Sequence, residues 1–323
     1  MKLSILIAAY NVEEHISKCI KSCVESLHIS DYEILVVNDG STDQTQNLVE
    51  ELSEKIPNLI LINKINEGLG AARNTGLENA KGEYVWMLDG DDYLEPNAII
   101  QVLNSLKSQK DIYAFNFNIV NDKQEILYVK YPKDFITKEL TGSEYYRKNY
   151  AESYTFQFVF RKELFMSNKL RFAQRINMQD SEILPKIMYH AKYVCFDDFS
   201  VYNYVQHDSS FTNTTNPEKR LSYFKSIHAV DTSLEKFSME IQNKDSLLYE
   251  AMGLKRESLQ KVIFNHLVFF KYDDKTFKII INYLRQNNYF PLSYKPKGKM
   301  AVLAWSLNHF PEMTKKLVDK IRK

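Results

Sequence analysis

Short apolar runs alternate with longer amphipathic stretches through the first third of the chain, and this alternation restricts the fold more than any other feature. The apolar runs are rich in β-branched residues, as buried strands are, and they are Leu3–Ala8, Tyr32–Val37, Leu59–Asn63, Tyr84–Leu88 and Ile112–Phe117. The stretches between them predict helices over Glu13–Ser26, Gln44–Lys55, Leu69–Ala80 and Asn97–Lys107. Strands that alternate with helices of this length form βαβ units. The sequence therefore predicts an α/β fold with a mainly parallel sheet.

The rest of the chain follows a different pattern. A mixture of strand and loop is expected after the alternation fades, with a clear helix over Glu182–His190. From Pro217 the pattern is helical to the end, with a break around Tyr294–Lys299. Because 323 residues form one large domain or two ordinary ones, we expect a domain over 1–215 followed by a helical region over 216–323.

The composition excludes several classes of protein. The net charge of +1 argues against a nucleic-acid binder, which normally carries a strongly basic domain. The three cysteines include no CxxC pair, so neither a zinc site nor a disulfide framework is indicated. The chain begins with a strand pattern and has no apolar run of about 18 residues, so we expect neither a secretory signal nor a membrane span. We therefore expect the protein in the cytoplasm.

Three carboxylates follow the fourth apolar run, in the segment Leu88–Asp92. The carboxyl ends of strands are where open α/β sheets place ligands. Carboxylates this close repel one another unless a cation lies between them, and Mg²⁺ and Mn²⁺ prefer oxygen ligands together with phosphates. The segment therefore indicates a site for a metal and a phosphorylated ligand. A solvated acidic turn that caps the next helix is the alternative.

Three further segments lie at predicted strand ends. Asp39, within Val37–Asp43, is a candidate to accept an N–H from a nucleobase, although turn formation and helix capping also explain such a segment. Ala9–Asn11 follows the first strand and is a weak signal alone. Within Asn66–Asn74 two glycines allow close backbone approach, the helix N-terminus favours anions, and Arg73 can meet a phosphate or a base edge. A dinucleotide fingerprint would need Gly where Arg73 stands, which argues against a nicotinamide enzyme.

Together these segments resemble the family 2 glycosyltransferases of the GT-A fold. The residues that carry the resemblance are Ser4–Asn11, Val36–Asp43, Gly68–Gly76, Lys81–Tyr84 and Leu88–Asp92. Their order and spacing are similar to those of the family. The resemblance implies a GT-A, Rossmann-like core, a nucleotide-diphospho-sugar donor that is usually UDP-linked, and transfer with inversion at the anomeric carbon.

The resemblance also implies which residues hold the donor, namely Ala9, Tyr10, Asn11, Asp39, Gly68, Arg73, Asp89 and Gly90. Asp39 would bind the uracil, Asp89 would contact the ribose, and Arg73 would lie near the base or the diphosphate. Asp91 would bind the metal cofactor, Mn²⁺ or Mg²⁺. His207 lies where related enzymes carry a loop that closes over the diphosphate, so it is a second candidate for the metal or a phosphate. An exposed loop histidine is the alternative.

Enzymes of this family also need a base for the proton of the acceptor hydroxyl, commonly the Asp of a Glu-Asp pair before a helix. Asp180 matches that Asp, and Gln179 replaces the Glu. Glu182 is the rival for the role, and helix capping by Asp180 is the structural alternative. With Asp180 as catalytic base and a metal at Asp91 neutralising the leaving diphosphate, one displacement would invert the anomeric centre.

On this resemblance, 1–215 is a catalytic domain with a nucleotide-sugar-binding half over 1–118 and an acceptor-side half over 119–215. The expected acceptor is a hydroxyl of a glycan, a lipid-linked molecule or a protein-linked molecule, in the synthesis of cell-surface polysaccharide or glycoconjugate.

Two other functions stay open. One is a sugar nucleotidyltransferase, which should carry a Gly-rich basic loop after the first strand. The other is a non-catalytic nucleotide-sugar-binding subunit of a glycosyltransferase pair, and homo-oligomer formation also stays open.

Basic and large apolar residues share the last part of the chain. Lys295, Lys297 and Lys299 precede an apolar stretch that includes Trp305 and Phe310. Basic residues beside Trp, Phe and Leu are typical of helices that lie in a membrane interface. The sequence therefore predicts peripheral contact with the inner face of the cell membrane. Packing of this apolar face on the catalytic domain is the alternative.

Overall fold

The computed structural model describes residues 1–24, 31–131, 139–206 and 216–321. The chain divides into two compact units, which are Met1–Arg175 with Gln179–Asp208 and Ile176–Met178 with Ser209–Lys323. We call them the N-terminal unit and the C-terminal unit. The predicted domain boundary at residue 215 falls within 207–215, outside the described residues, and stays a prediction.

Nine strands of the described residues form one sheet in the N-terminal unit. They are β1 (Leu3–Ala9), β2 (Tyr32–Asn38), β3 (Leu59–Asn63), β4 (Tyr84–Asp89), β5 (Tyr93–Leu94), β6 (Ile112–Val120), β7 (Ile126–Lys130), β8 (Phe158–Arg161) and β9 (Val194–Val205). The order across the sheet is β3-β2-β1-β4-β8-β6-β9-β5, and β7 pairs with β6. The five strands predicted in the first third of the chain are therefore confirmed.

The helices of this unit are α1 (Ile16–Ser22), α2 (Thr45–Ser53), α3 (Leu69–Asn79), α4 (Ala98–Ser105), α5 (Gly142–Asn149), α6 (Glu163–Ser167) and α7 (Gln179–His190). The first four are the predicted helices, and the predicted end of the first falls at 25–26, outside the described residues. Helix α1 buries Ile16, Cys19 and Ile20, so its predicted apolar side faces the core.

Strand direction changes along the sheet. Neighbours run parallel through β3-β2-β1-β4, as the βαβ pattern predicts. Strand β8 is antiparallel to both β4 and β6, and β9 is parallel to β6. The sheet as a whole is mixed rather than mainly parallel. Its antiparallel pairs involve strands from the part of the chain where the sequence loses the strand–helix alternation on which the prediction rests.

The register of the parallel strands aligns their carboxyl ends. Ala9 lies opposite Asn38, and Ala8 lies opposite Asp89. At the other end of the same strands, Ser4 Oγ donates to Glu33 Oε1 at 2.6 Å and accepts from Gly82 N at 2.8 Å. A Cβ on Gly82 would lie 2.5 Å from Ser4 N. The Lys81–Tyr84 motif therefore packs the amino ends of the strands together. The candidate site lies at the opposite edge, where the strands have their carboxyl ends.

The C-terminal unit is helical. Its helices among the described residues are α8 (Pro217–Ile241), α9 (Ser246–Phe269), α10 (Asp274–Gln286), α11 (Lys299–His309) and α12 (Pro311–Ile321). Phe224, Ile227, Val230 and Leu234 of α8 are fully buried, at the spacing of one helix face. The predicted break is longer than expected, since α10 ends at Gln286 and α11 begins at Lys299. Within the described ranges, every helix is too short or too polar to cross a bilayer.

Candidate active site

The loops that follow β1 and β2 are joined by hydrogen bonds. Asn11 Oδ1 accepts from Thr42 N at 2.8 Å. Ala9 is buried, and its carbonyl accepts from Asp39 N at 2.9 Å. Tyr10 is 50% exposed. A ligand at this edge can therefore contact the ring of Tyr10 but not the side chain of Ala9. Ala9 contributes through its carbonyl, which holds the backbone of Asp39 in place.

The buried carboxylate of Asp39 organises the turn between β3 and α3. Lys64 Nζ donates to Oδ1 at 2.9 Å, and Glu67 N donates to the same oxygen at 3.1 Å. Gly68 N donates to Oδ2 at 2.8 Å, and Gly68 has φ = 92°, which favours glycine. Asp39 thus holds the N-terminus of α3. Besides Gly68 N, its Oδ2 can accept another N–H, as the predicted uracil contact requires.

Arg73 links two of the predicted site residues. Its Nη2 donates to Asp89 Oδ1 at 2.8 Å, and its Nη1 donates to Asp180 Oδ1 at 2.5 Å. The guanidinium side chain is 2% exposed. Burial acts to lower the pKa of Arg73, but the charges of Asp180 and Asp89 outweigh it and raise the pKa above its ordinary value. The second oxygen of Asp180 accepts from Thr155 N at 3.2 Å, so both of its oxygens are held.

Gly70 allows the segment before α7 to approach α3. A Cβ at Gly70 would lie 2.3 Å from the carbonyl oxygen of Ala173 and 2.6 Å from Gln179 Oε1. The sequence predicts close backbone approach to a ligand at the two glycines, and at Gly70 the approaching group is the protein itself. Gln179, which stands where the family commonly has Glu, is buried against this junction. The contact brings Asp180 to Arg73.

The three carboxylates of the acidic turn do not converge on one point. Asp92 is buried, and its Oδ2 accepts from Tyr202 Oη at 2.6 Å while its Oδ1 accepts from Val205 N at 2.8 Å. Burial and the charges of Asp91 and Asp89 raise the pKa of Asp92 well above its ordinary value. Asp92 therefore anchors the turn to β9. The side chain of Asp92 thus faces the sheet, and Asp91 stays the predicted metal ligand of this turn.

Asp91 and Gly90 complete the turn. Asp91 is half-buried, and a Cβ on Gly90 would lie 3.1 Å from the carbonyl oxygen of Ala8, so the turn packs closely on β1. Within the described ranges, no three His, Cys, Asp or Glu side chains are grouped to hold a metal. Mg²⁺ often uses one or two carboxylates together with phosphate oxygens, and the assignment of Asp91 to the metal stays a prediction. His207 lies outside the described residues and stays a prediction.

Comparison with known proteins decides the family. Residues 4–168, about half of the chain, match the sequence model of glycosyl transferase family 2. This chain belongs to glycosyl transferase family 2.

Two curated relatives are longer than this chain. The glycosyltransferase GlyA of Streptococcus pneumoniae serotype 4 is 32% identical over 163 residues, which are 50% of this chain and 22% of GlyA. The poly(ribitol-phosphate) beta-glucosyltransferase of Bacillus spizizenii is 29% identical over 214 residues, 64% of this chain and 33% of that protein. This family 2 chain thus aligns with a third or less of the length of either relative.

A solved structure shows the fold. The crystal structure of S. aureus TarS 1–349 in complex with UDP-GlcNAc matches with a TM-score of 0.70 at 18% identity, over 99% of this chain and 91% of that chain. The GT-A fold predicted from the sequence is confirmed for this family 2 member.

The site of this family 2 member contains residues that sequence reasoning missed. Lys64 follows β3 and pairs with Asp39, and the rule that strand ends meet at one edge could have identified it. Tyr202 bonds Asp92, and its oxygen also accepts from Asp89 N at 3.3 Å. No local signal marks Tyr202, because its partners lie on a strand far away in the sequence.

Gly70→Ala should destabilise the protein, because the added Cβ meets the Ala173 carbonyl, and overpacking of this kind costs about 1–3 kcal/mol. Gly76→Ala is the matched control in the same helix, since its Cβ would meet nothing closer than Leu6 at 3.4 Å. Urea denaturation of both variants measures the difference in the free energy of unfolding. Equal stability of the two variants would contradict the close approach at Gly70.

Proposed function

We propose that this chain is a metal-dependent, inverting glycosyltransferase that moves a hexose or an N-acetylhexosamine from a UDP-sugar to an acceptor hydroxyl. The acceptor is a glycan, a lipid-linked or a protein-linked molecule, in the synthesis of cell-surface polysaccharide or glycoconjugate. Two comparisons support this proposal: TarS is solved with UDP-GlcNAc, and a relative is named for the glucosylation of poly(ribitol-phosphate).

The observation that carries the proposal is the double ion pair of Arg73. One buried guanidinium holds Asp89, assigned to the ribose of the donor, and Asp180, assigned to the acceptor hydroxyl. Reaction between two substrates is fastest when their binding groups are fixed relative to each other. Arg73 is therefore a positioning residue that fixes the donor-binding Asp89 relative to the acceptor-binding Asp180.

The donor lies along the carboxyl ends of β1, β2 and β4. The ring of Tyr10 and the Oδ2 of Asp39 meet the uracil, and Asp89 meets the ribose. Asp91 provides the protein ligand for the metal, which when bound neutralises the negative charge that grows on the leaving diphosphate. The acceptor oxygen attacks the anomeric carbon, the bond from that carbon to the diphosphate breaks, and Asp180 takes the hydroxyl proton.

A small aromatic cavity of about 80 Å³ supports the proposal that the acceptor binds on the side of Asp180. Tyr154 lines it, and the neighbouring residue Thr155 donates its backbone N–H to Asp180. The cavity is also lined by Tyr131, which is 61% exposed, and Tyr146, whose buried hydroxyl has no hydrogen-bond partner among the described residues. At this volume the cavity holds only part of a sugar ring, and its aromatic faces beside polar groups suit that contact.

Asp180→Asn should lower kcat about 10²–10⁴-fold, because the amide keeps the shape but cannot take the proton. UDP affinity should stay close to that of the wild type. UDP release from a panel of UDP-sugars, with an added acceptor, measures kcat, and calorimetry measures UDP binding. Glu182→Gln is the control, since Glu182 pairs with Lys186.

An active Asp180→Asn together with an inactive Glu182→Gln would show that the base is Glu182. Wild-type protein that binds UDP-sugars but releases UDP from none of them would favour the non-catalytic binding subunit.

Asp91→Asn should abolish transfer and weaken UDP binding, because the metal loses its protein ligand. EDTA should do the same to the wild type, and added Mn²⁺ or Mg²⁺ should restore activity to the wild type but not to the variant. Calorimetric titration of UDP with and without Mn²⁺ gives a readout that does not depend on turnover. Full activity of the variant, or of the metal-free wild type, would remove the metal assignment.

We also propose that the end of the C-terminal unit contacts an anionic membrane surface. Large apolar side chains of α11 and α12 are exposed, namely Val302, Trp305, Met313, Leu317 and Ile321, as is Phe310 between the two helices. Lysines of the same segment include Lys295, Lys297, Lys299, Lys316 and Lys320. Each such charge near an anionic surface contributes about 1 kcal/mol.

Sedimentation with phosphatidylserine-containing liposomes tests this contact. The double variant Trp305→Ala with Phe310→Ala should bind less than the wild type, whereas Met239→Ala with Tyr249→Ala removes exposed apolar groups elsewhere in the unit and should not change binding. Neutral liposomes should bind the wild type weakly. Equal binding of both double variants and the wild type would exclude this surface.

A further inference from the structure

The C-terminal unit contains a polar cavity of about 670 Å³ between α8, α9 and the segment 287–293. Its volume lies in the range of about 300–1,000 Å³ that is usual for small-molecule sites. The residues that line it belong to the C-terminal unit, whereas the strand-end site belongs to the N-terminal unit. Nothing in the proposed transfer reaction uses it.

An ion-pair group fixes one wall of the cavity. Arg256 Nε donates to Asp231 Oδ1 at 2.8 Å, and Arg256 Nη2 donates to Glu235 Oε1 at 2.9 Å. The side chain of Asp231 is 5% exposed. Because the guanidinium already faces two carboxylates and Glu257 also lines the cavity, the wall is unfavourable for phosphates and other anions.

Aromatic and amide groups also line the cavity. The hydroxyl of Tyr289 is buried near the side chains of Asp231 and Gln260, but it makes no hydrogen bond of good geometry among the described residues. The ring of His228 lies 4.8 Å from the ring of Tyr289, between centroids. Gln260 is buried, and its Oε1 accepts from Ser293 N at 3.3 Å. A buried hydroxyl without a well-formed hydrogen bond is costly, so this part of the lining suits a ligand that brings its own hydrogen-bonding groups.

Gly253 keeps the cavity open. It lies inside helix α9, where glycine is among the least favourable residues. A Cβ at this position would meet nothing within 4 Å, so close packing does not require glycine here. Gly253 lines the cavity, and a longer side chain would occupy it.

We propose that this cavity binds an uncharged sugar unit. A pyranose offers hydroxyl donors to Glu235 and Glu257, hydroxyl acceptors to the Tyr289 hydroxyl, and an apolar face to the aromatic groups. Asp231 and Glu235 are already paired with Arg256, so an uncharged ligand that uses only their remaining hydrogen-bonding capacity fits this lining. The cavity is thus a carbohydrate subsite built by the C-terminal unit alone, and it is independent of donor binding.

Saturation-transfer NMR with glucose and with N-acetylglucosamine as probes tests the subsite on the full chain. Both Gly253→Ala and Gly253→Leu keep a good helix former in α9, but only leucine fills the cavity. The wild type and Gly253→Ala should bind at least one of the sugars, and Gly253→Leu should lose that binding. Tyr289→Phe removes one hydroxyl and should weaken binding about two- to tenfold.

Saturation transfer to the probe sugar and UDP release from a UDP-sugar are measured separately, so failure of the subsite and failure of the proposed function can be distinguished. Two results would overturn the subsite. One is no saturation transfer to either sugar from the folded wild type. The other is equal binding by Gly253→Leu and Gly253→Ala, which would place the sugar elsewhere and leave the proposed transfer reaction untouched.

Discussion

One buried guanidinium connects the elements of the candidate active site. Arg73 lies on α3, Asp89 ends β4, and Asp180 begins α7, so three separate parts of the chain meet at one charge. A buried charge is tolerated when it is paired, and removal of one partner from such a group costs about 3–5 kcal/mol. The other features of the site support this arrangement. Asp39 fixes the start of α3, and Gly70 lets the segment before α7 approach it.

The parallel half of the fold could be predicted because its signals are local. Buried β-branched runs and amphipathic stretches repeat at fixed spacing, and parallel strands in βαβ units end at one edge. Asp39 and Asp89 were each predicted to lie at a strand end. In the structure the ends of β2 and β4 lie at the same edge of the sheet. The insertion of β8 between β4 and β6 could not be predicted, because pairing between distant strands leaves no periodic signal in either strand.

The partners of individual side chains were the least predictable part. Three neighbouring carboxylates suggested one cation site, yet Asp92 is committed to Tyr202, which lies on a strand that the local pattern could not place beside it. Gly70 suggested a ligand, and the protein backbone itself takes the space. In both cases the residue type correctly indicated a position with a specific contact. The partner in that contact is distant in the sequence, so the sequence pattern could not identify it.

Tyr202 also links residues 1–118 to β9, so substitutions in one of these two parts of the N-terminal unit affect the other. Its phenol, on β9, bonds both Asp92 and the backbone of Asp89. A chimera that joined residues 1–118 to the second half of another glycosyltransferase would retain the acidic turn but not necessarily the phenol or the carboxylate that Arg73 requires. Residues 1–118 are therefore not structurally independent of β9 and α7. Substitutions elsewhere in the second half preserve these contacts only if they leave β9 and the start of α7 in place.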